Sequence, residues 1–119
     1  MSDRRRIVRE VLLWVVTAFL VYVFVRQGIS KFDDASGWSR AFRFWGYPDW
    51  FRILIGVVEV AAAVILLVPR FAWIGAMMII VVMLGGMATH VVTGQPKQVT
   101  SEVVPLVLST IIAIARRPR

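Results

Sequence analysis

Four long apolar blocks constrain this chain more than any other feature. They cover residues 11–25, 53–68, 71–88 and 103–115. A helix that crosses a bilayer needs about 20 mostly apolar residues, and the blocks approach that length when flanking residues are included. The chain is 59% hydrophobic, whereas soluble domains are about 45 to 50% apolar. We therefore predict an integral membrane protein.

The predicted fold is all-α, an integral membrane four-helix bundle with a short amphipathic helix at the membrane interface in the first loop. We predict spans at about 7–29, 51–68, 71–92 and 99–115, and the interfacial helix at about 36–45. In that interfacial segment Trp38, Phe42 and Trp45 recur at helical spacing. Because the other connections are short, residues 1–119 are expected to form a single transmembrane domain.

The positive charge predicts orientation and partners. The net charge is +7, and arginines are clustered at residues 4–9 and 116–119. An even number of spans puts both clusters on one side, and basic residues favour the cytoplasm. We expect cytoplasmic N- and C-termini. Because the charge flanks the spans, we also expect contact with membrane lipid and no nucleic-acid binding.

Glu59 is the one ionisable residue between residues 53 and 68. A charge in the middle of a span costs roughly 2.5 to 3.5 kcal/mol on insertion scales, so such a residue usually faces a partner inside the bundle. At 1.5 Å per residue, Glu59 lies about 9 Å below the outer edge of its span. Antiparallel spans bring Gln27, Lys31 and His90 to the same outer half. Arg52, near the start of the span, is expected to reach the interface.

We predict a polar pocket in this outer half. Its candidate residues are Gln27, Lys31, Trp45, Tyr47, Glu59 and His90. Glu59 is expected to contact Lys31 or His90, with Trp45 or Tyr47 as a lid. Two interpretations stay open: a structural ion pair that locks the helices, or a pocket that handles protons and binds a lipid-soluble ligand such as a quinone. No catalytic residue can be named from the sequence.

The residue types exclude several cofactor chemistries. The chain has no cysteine, and its one histidine is His90. One protomer therefore provides no thiol–disulfide chemistry, no cysteine-held iron–sulfur cluster and no two-histidine haem site. We predict no metal site and no tightly bound cofactor, and quinone is the cofactor that the pocket would suit.

Five short segments carry a resemblance to a known family. They are Gly28-Ile-Ser-Lys-Phe32, Phe44-Trp-Gly-Tyr-Pro48, Gly56-Val-Val-Glu59, Leu66-Leu-Val-Pro-Arg-Phe-Ala72 and Met83-Leu-Gly-Gly-Met-Ala-Thr-His90. In this order and spacing they resemble the DoxX and DoxX-like membrane proteins. The resemblance implies a four-helix protein of the bacterial inner (cytoplasmic) membrane. Lys31, Glu59 and His90 occupy the family's motif positions.

The resemblance also implies a function. Members of the family include the small subunit of a terminal quinol oxidase or thiosulfate:quinone oxidoreductase complex, and a mycobacterial relative linked to an oxidoreductase complex in oxidative-stress defence. It thus implies an accessory subunit of a quinone-linked redox or oxidative-stress system, rather than a self-sufficient enzyme. Its expected partners are redox proteins or a second copy of the chain. The alternatives are a non-catalytic scaffold or assembly protein and a small proton-coupled transporter.

Overall fold

The computed structural model of the protein describes residues 3–35 and 37–118. The α-helices there are α1 (Asp3–Ser30), α2 (Gly37–Trp45), α3 (Asp49–Leu66), α4 (Ala72–Val92) and α5 (Thr100–Ala115), with a 3-10 turn at Pro96–Val99. No strand forms in these ranges, so the all-α prediction is confirmed. Residue 36, the first residue predicted for the interfacial helix, lies outside the described residues, as do residues 1, 2 and 119 of the predicted domain.

Within the described ranges, three segments are long and apolar enough to cross a membrane. They are Asp3–Ser30, Ala72–Val92 and Pro96–Ala115. The expectation of membrane helices is therefore confirmed for these three. The 18-residue α3 is not among them, and it carries Asp49, Arg52 and Glu59. With five α-helices in the described chain, the count of four membrane spans stays a prediction.

The four long helices pack in a closed ring. Helix α1 packs against α3 and α5, and α4 packs against α3 and α5, while α2 packs on α3. The buried apolar core lies in the half of the ring that contains the turn between α3 and α4. Its members include Leu20, Phe24, Ala62, Leu66, Ile79 and Ile112. The apolar core thus leaves the opposite half of the ring to polar residues.

The start of α1 and the end of α5 lie beside this core. Arg116 Nη1 lies 3.0 Å from Glu10 Oε1, and Arg9 Nη2 donates a hydrogen bond of 3.0 Å to the carbonyl oxygen of Ala115. The start of α1 and the end of α5 are therefore adjacent. The longest connection, with α2, lies at the other end of the ring.

Two glycines let α1 and α3 cross at close range. A Cβ added to Gly28 would lie 2.9 Å from the carbonyl oxygen of Gly56, and a Cβ added to Gly56 would lie 2.8 Å from that of Gly28. Small residues allow this kind of backbone approach in lipid, where apolar burial alone does not drive helices together. The crossing places the end of α1 directly against the face of α3 that carries Glu59.

Candidate functional site

A cavity of about 880 Å³ lies in the polar half of the ring. Its walls come from all five α-helices and from the 3-10 turn before α5. All six candidate residues predicted from the sequence line it: Gln27, Lys31, Trp45, Tyr47, Glu59 and His90. Its size falls within the range of about 300 to 1,000 Å³ that is typical of small-molecule sites. The six side chains thus border one common space, and what they do there stays a prediction.

Lys31 and Glu59 form a buried ion pair at the wall made by α1 and α3. The ammonium of Lys31 contacts Glu59 Oε1, and the two residues are 3% and 1% exposed. The predicted contact is therefore confirmed with Lys31 as the partner. Burial lowers the pKa of Lys31, and the negative charge of Glu59 opposes that shift.

Two further features complete the environment of this pair. Lys31 Nζ also lies 3.7 Å from the centre of the Trp38 ring, close enough for a cation–π interaction. Glu59 Oε2 is buried and has no hydrogen-bond partner among the described residues. An acceptor in that state costs free energy unless something satisfies it. The pair therefore leaves one carboxylate oxygen buried without a hydrogen-bond partner among the described residues.

His90 pairs with a different carboxylate, which the sequence did not predict. His90 Nδ1 lies 2.8 Å from Oε1 of Glu102, and both residues are buried. Glu102 comes from the first turn of α5 and lines the cavity with His90. The carboxylate fits there because Gly86 has no side chain. The cavity consequently carries two acid–base pairs rather than one.

Trp45 and Tyr47, either of which the sequence predicts as the lid, connect the α2 side of the cavity with α4 and the segment that follows it. Trp45 Nε1 donates a hydrogen bond of 2.8 Å to Gln95 Oε1, and the Tyr47 hydroxyl lies 2.7 Å from Thr89 Oγ1. The Trp45 ring also meets the His90 ring edge-on, with centroids 5.3 Å apart. Specific polar contacts of both aromatic residues therefore hold the α2 side of the cavity to α4 and the segment after it.

Arg52 corrects the expectation that its side chain reaches the interface. It is 1% exposed, and its Nη1 donates to the carbonyl oxygen of Lys31 while Nη2 lies 2.6 Å from Asp34 Oδ1. The chain after α1 folds back over the start of α3, so the guanidinium finds its partners there instead of in water. Arg52 thus fixes the backbone of the residue that pairs with Glu59.

The spacing of residues around the last connection could have predicted that Glu102 lies next to His90. Gly86 and His90 lie four residues apart on α4, so they share a face. A short connection then returns the chain antiparallel, which brings the first turn of α5 to the level of His90. Among the described residues, no group of three or more histidine, aspartate or glutamate side chains is placed to hold a metal ion.

The fold and the site define a helical membrane protein whose helix ring encloses a largely apolar cavity bordered by two buried charged pairs. More specifically, the chain belongs to the DoxX-like family, which it matches over residues 15–112. That stretch includes every residue that lines the cavity.

One curated relative is the uncharacterized protein YwoB of Bacillus subtilis (strain 168). The two are 33% identical over 73 residues, which cover 54% of this chain and 47% of that protein. The chain thus spans about half the length of the relative that it matches. No solved structure matches the chain significantly.

Proposed function

We propose that this protein is an accessory membrane subunit of a quinone-linked redox or oxidative-stress system, and that its cavity binds the head of a quinone. One observation carries the proposal: two buried acid–base pairs, Lys31 with Glu59 and His90 with Glu102, border a single cavity with apolar and aromatic walls. A quinone ring needs a flat apolar enclosure and polar groups near its two oxygens. The cavity offers both.

The two pairs suggest how the head would be held. The ammonium of Lys31 has three N–H donors, and Glu59 uses only part of that capacity. One donor is therefore suited to a quinone carbonyl oxygen. When a quinol is oxidised, it loses two protons and two electrons. In the proposed arrangement Glu59 and His90 accept the protons, and a redox-protein partner accepts the electrons.

We further propose that α3 spans the membrane together with the other three long helices. Two of its three charged residues, Arg52 and Glu59, are each 1% exposed and paired inside the protein. The third, Asp49, is the first residue of the helix, where it would lie at the interface. A charge that is paired in the interior adds much less to the cost of insertion than one that faces lipid.

The proposed location is the bacterial inner membrane, with both chain ends in the cytoplasm. The contact between Glu10 and Arg116 supports this, because it brings the start of α1 and the end of α5 together. Arginines 4, 5, 6, 9, 116 and 117 are gathered there, and Arg70 lies in the turn between α3 and α4 on the same side. Clustered positive charge favours the cytoplasmic side.

The test is quinone binding by purified protein in mild detergent, with menaquinone as the probe. Glu59→Gln keeps the shape of the side chain but removes the charge that holds the Lys31 ammonium. We expect about tenfold weaker binding or worse, which is about 1.4 kcal/mol, because the donor to the quinone carbonyl oxygen then loses its charged partner. Glu10→Gln is the matched control, since Glu10 also pairs with an arginine but lies at the opposite end. It should bind like the wild type.

Three results would count against the proposal. If wild-type protein does not bind menaquinone and a deletion strain shows no respiratory or oxidative-stress phenotype, the scaffold interpretation is favoured. If Glu59→Gln binds as tightly as the wild type, the cavity is not the site. If reconstituted protein carries out proton-coupled uptake that Glu59→Gln abolishes, without quinone binding, the transporter interpretation is correct.

A further inference from the structure

Five of the described residues that line the cavity are exposed at the surface, and they fall in two chemically different places, which are its candidate openings. Near α2 and the start of α5 the cavity is bordered by exposed Gly37, Gln98 and Ser101. On α4 it is bordered by Val81, which is 66% exposed, and by exposed Gly85. The first opening is polar. The second has only an apolar side chain and a glycine from α4.

The second opening lies at the level of the hydrocarbon core. Val81 is about 14 Å from Ala72, the first residue of α4, at 1.5 Å per residue, and so lies near the middle of the helix. The segment Ala72–Val92 is long and apolar enough to cross a membrane. Exposed Met77 and Leu84 lie on either side of Val81 along the helix. An opening at this depth faces lipid tails rather than water.

Gly85 leaves this opening unobstructed. A Cβ added at Gly85 would meet no atom within 4 Å, whereas one added at its neighbour Gly86 would lie 2.6 Å from Glu102 Oε1. Gly85 is therefore not needed for helix packing. Gly in the middle of a helix costs about 1 kcal/mol relative to Ala, so an unpacked glycine at the border of the cavity has no structural explanation in its contacts.

We infer that Val81 and Gly85 border a lateral portal through which the apolar tail of a lipid-soluble ligand extends into the bilayer. The ligand class is a head with hydrogen-bonding oxygens on a long hydrocarbon tail. The head lies between the Lys31–Glu59 and His90–Glu102 pairs, and the tail leaves at mid-helix. This inference rests on the proposed function and narrows its ligand to long-tailed, polyprenyl quinones that enter from the membrane.

The experiment compares a quinone with its tail and the same ring without one. The protein is reconstituted in phosphatidylcholine vesicles, and binding of menaquinone and of tailless menadione is followed by quenching of tryptophan fluorescence, since Trp38 and Trp45 line the cavity. Gly85→Phe places a ring in the opening. Leu84→Phe is the control, because Leu84 is exposed on the same helix but does not line the cavity.

We expect Gly85→Phe to bind menaquinone about tenfold more slowly, because entry then requires a conformational change at the opening. The same variant should bind menadione at the wild-type rate through the polar opening, and Leu84→Phe should leave both rates unchanged. Phosphatidylcholine is in large excess in these vesicles. If Gly85→Phe still slows menaquinone binding there but not menadione binding, the tail in the portal belongs to the quinone and not to a phospholipid.

Two outcomes overturn the portal. Equal rates for menaquinone in the wild type and in Gly85→Phe would show that the tail does not pass this point. Equal losses for menaquinone and menadione in Gly85→Phe would show damage to the cavity as a whole. Different results would contradict the portal and the proposed function. If wild-type protein binds neither quinone, the proposed function itself is wrong. If wild-type protein binds both quinones and Gly85→Phe changes neither binding rate, only the portal is wrong. If a second copy of the chain covered Val81, Gly85→Phe would also leave both binding rates unchanged, and Val81→Cys would form cross-links between protomers.

Discussion

The carboxylate of Glu102 occupies the space beside Gly86 that any larger residue would fill, with Oε1 only 2.6 Å from the position of a Cβ. This relationship joins α4 and α5 at the level of His90. Because His90 Nδ1 lies 2.8 Å from the same oxygen, a shift of the carboxylate would alter the acid–base pair. The absence of a side chain at residue 86 is thus part of the site.

Alanine substitutions at the two adjacent glycines of α4 should have different effects. Gly85→Ala meets no atom within 4 Å, so it should stabilise the protein by up to about 1 kcal/mol through helix propensity. Gly86→Ala should lose that gain, because the new methyl group displaces Glu102 from His90. Thermal unfolding in detergent measures both. Equal stabilisation by the two substitutions would mean that the Glu102 carboxylate can move away from residue 86 without a cost in free energy.

The Lys31–Glu59 pair should show strong coupling in a double-mutant cycle. Glu59→Leu leaves a buried ammonium and Lys31→Met leaves a buried carboxylate, and removing one partner of a buried pair costs about 3 to 5 kcal/mol in soluble proteins. The double variant should recover much of either loss. Free energies of unfolding from denaturant titration in mixed micelles provide the four values. Additive losses would exclude a direct energetic interaction between the two groups.

Arg52→Lys should destabilise the protein although it keeps the charge. A lysine ammonium cannot reproduce the planar fork that serves both the Lys31 carbonyl oxygen and the Asp34 carboxylate. The expected loss is about 1.5 to 3 kcal/mol, the range for hydrogen bonds to charged groups. Arg43→Lys is the control, because Arg43 is largely exposed and lies 3.9 Å from Asp49. Similar unfolding curves for both variants would contradict a structural role for the buried guanidinium.

The proposed topology can be tested by labelling single introduced cysteines, because the chain has no cysteine of its own. Single cysteines at Arg70 and Arg117 should react with an impermeant thiol reagent only when the cytoplasmic face is open. A cysteine at Lys97 should react in intact cells. Labelling of all three positions from the periplasm would contradict four spans with both ends in the cytoplasm.

The location of the site followed from the sequence because the apolar blocks determine depth. Once the blocks are read as antiparallel helices, Lys31 and Glu59 must lie at similar levels, and the glycines at residues 28 and 56 let their helices approach. The same reasoning brought His90 into the half of the bundle that holds Lys31 and Glu59. These conclusions need only helix rise and chain direction, both of which hydropathy and spacing provide.

The partners of Arg52 and His90 depend on details that hydropathy does not contain. Arg52 is buried because residues 31–35 fold back over α3, and a loop path is not encoded in helical periodicity. Glu102 lies just before the last apolar block, where the pattern of apolar residues does not predict which way its side chain points. In the structure the 3-10 turn at Pro96–Val99 leads into α5, so Glu102 faces inward against a glycine. Side-chain direction at a helix start depends on such turns.

The contact between Glu10 and Arg116 holds the start of α1 next to the end of α5. Both lie at the end of the ring that holds the turn between α3 and α4, and the cavity lies at the far end. A short linker joining the ends, with new ends opened at residues 68–71, would therefore give a circular permutant with an unchanged cavity, since exposed turns tolerate such openings. Both new ends would emerge on the same face as the old ones. The arrangement around the cavity is thus independent of where the polypeptide begins.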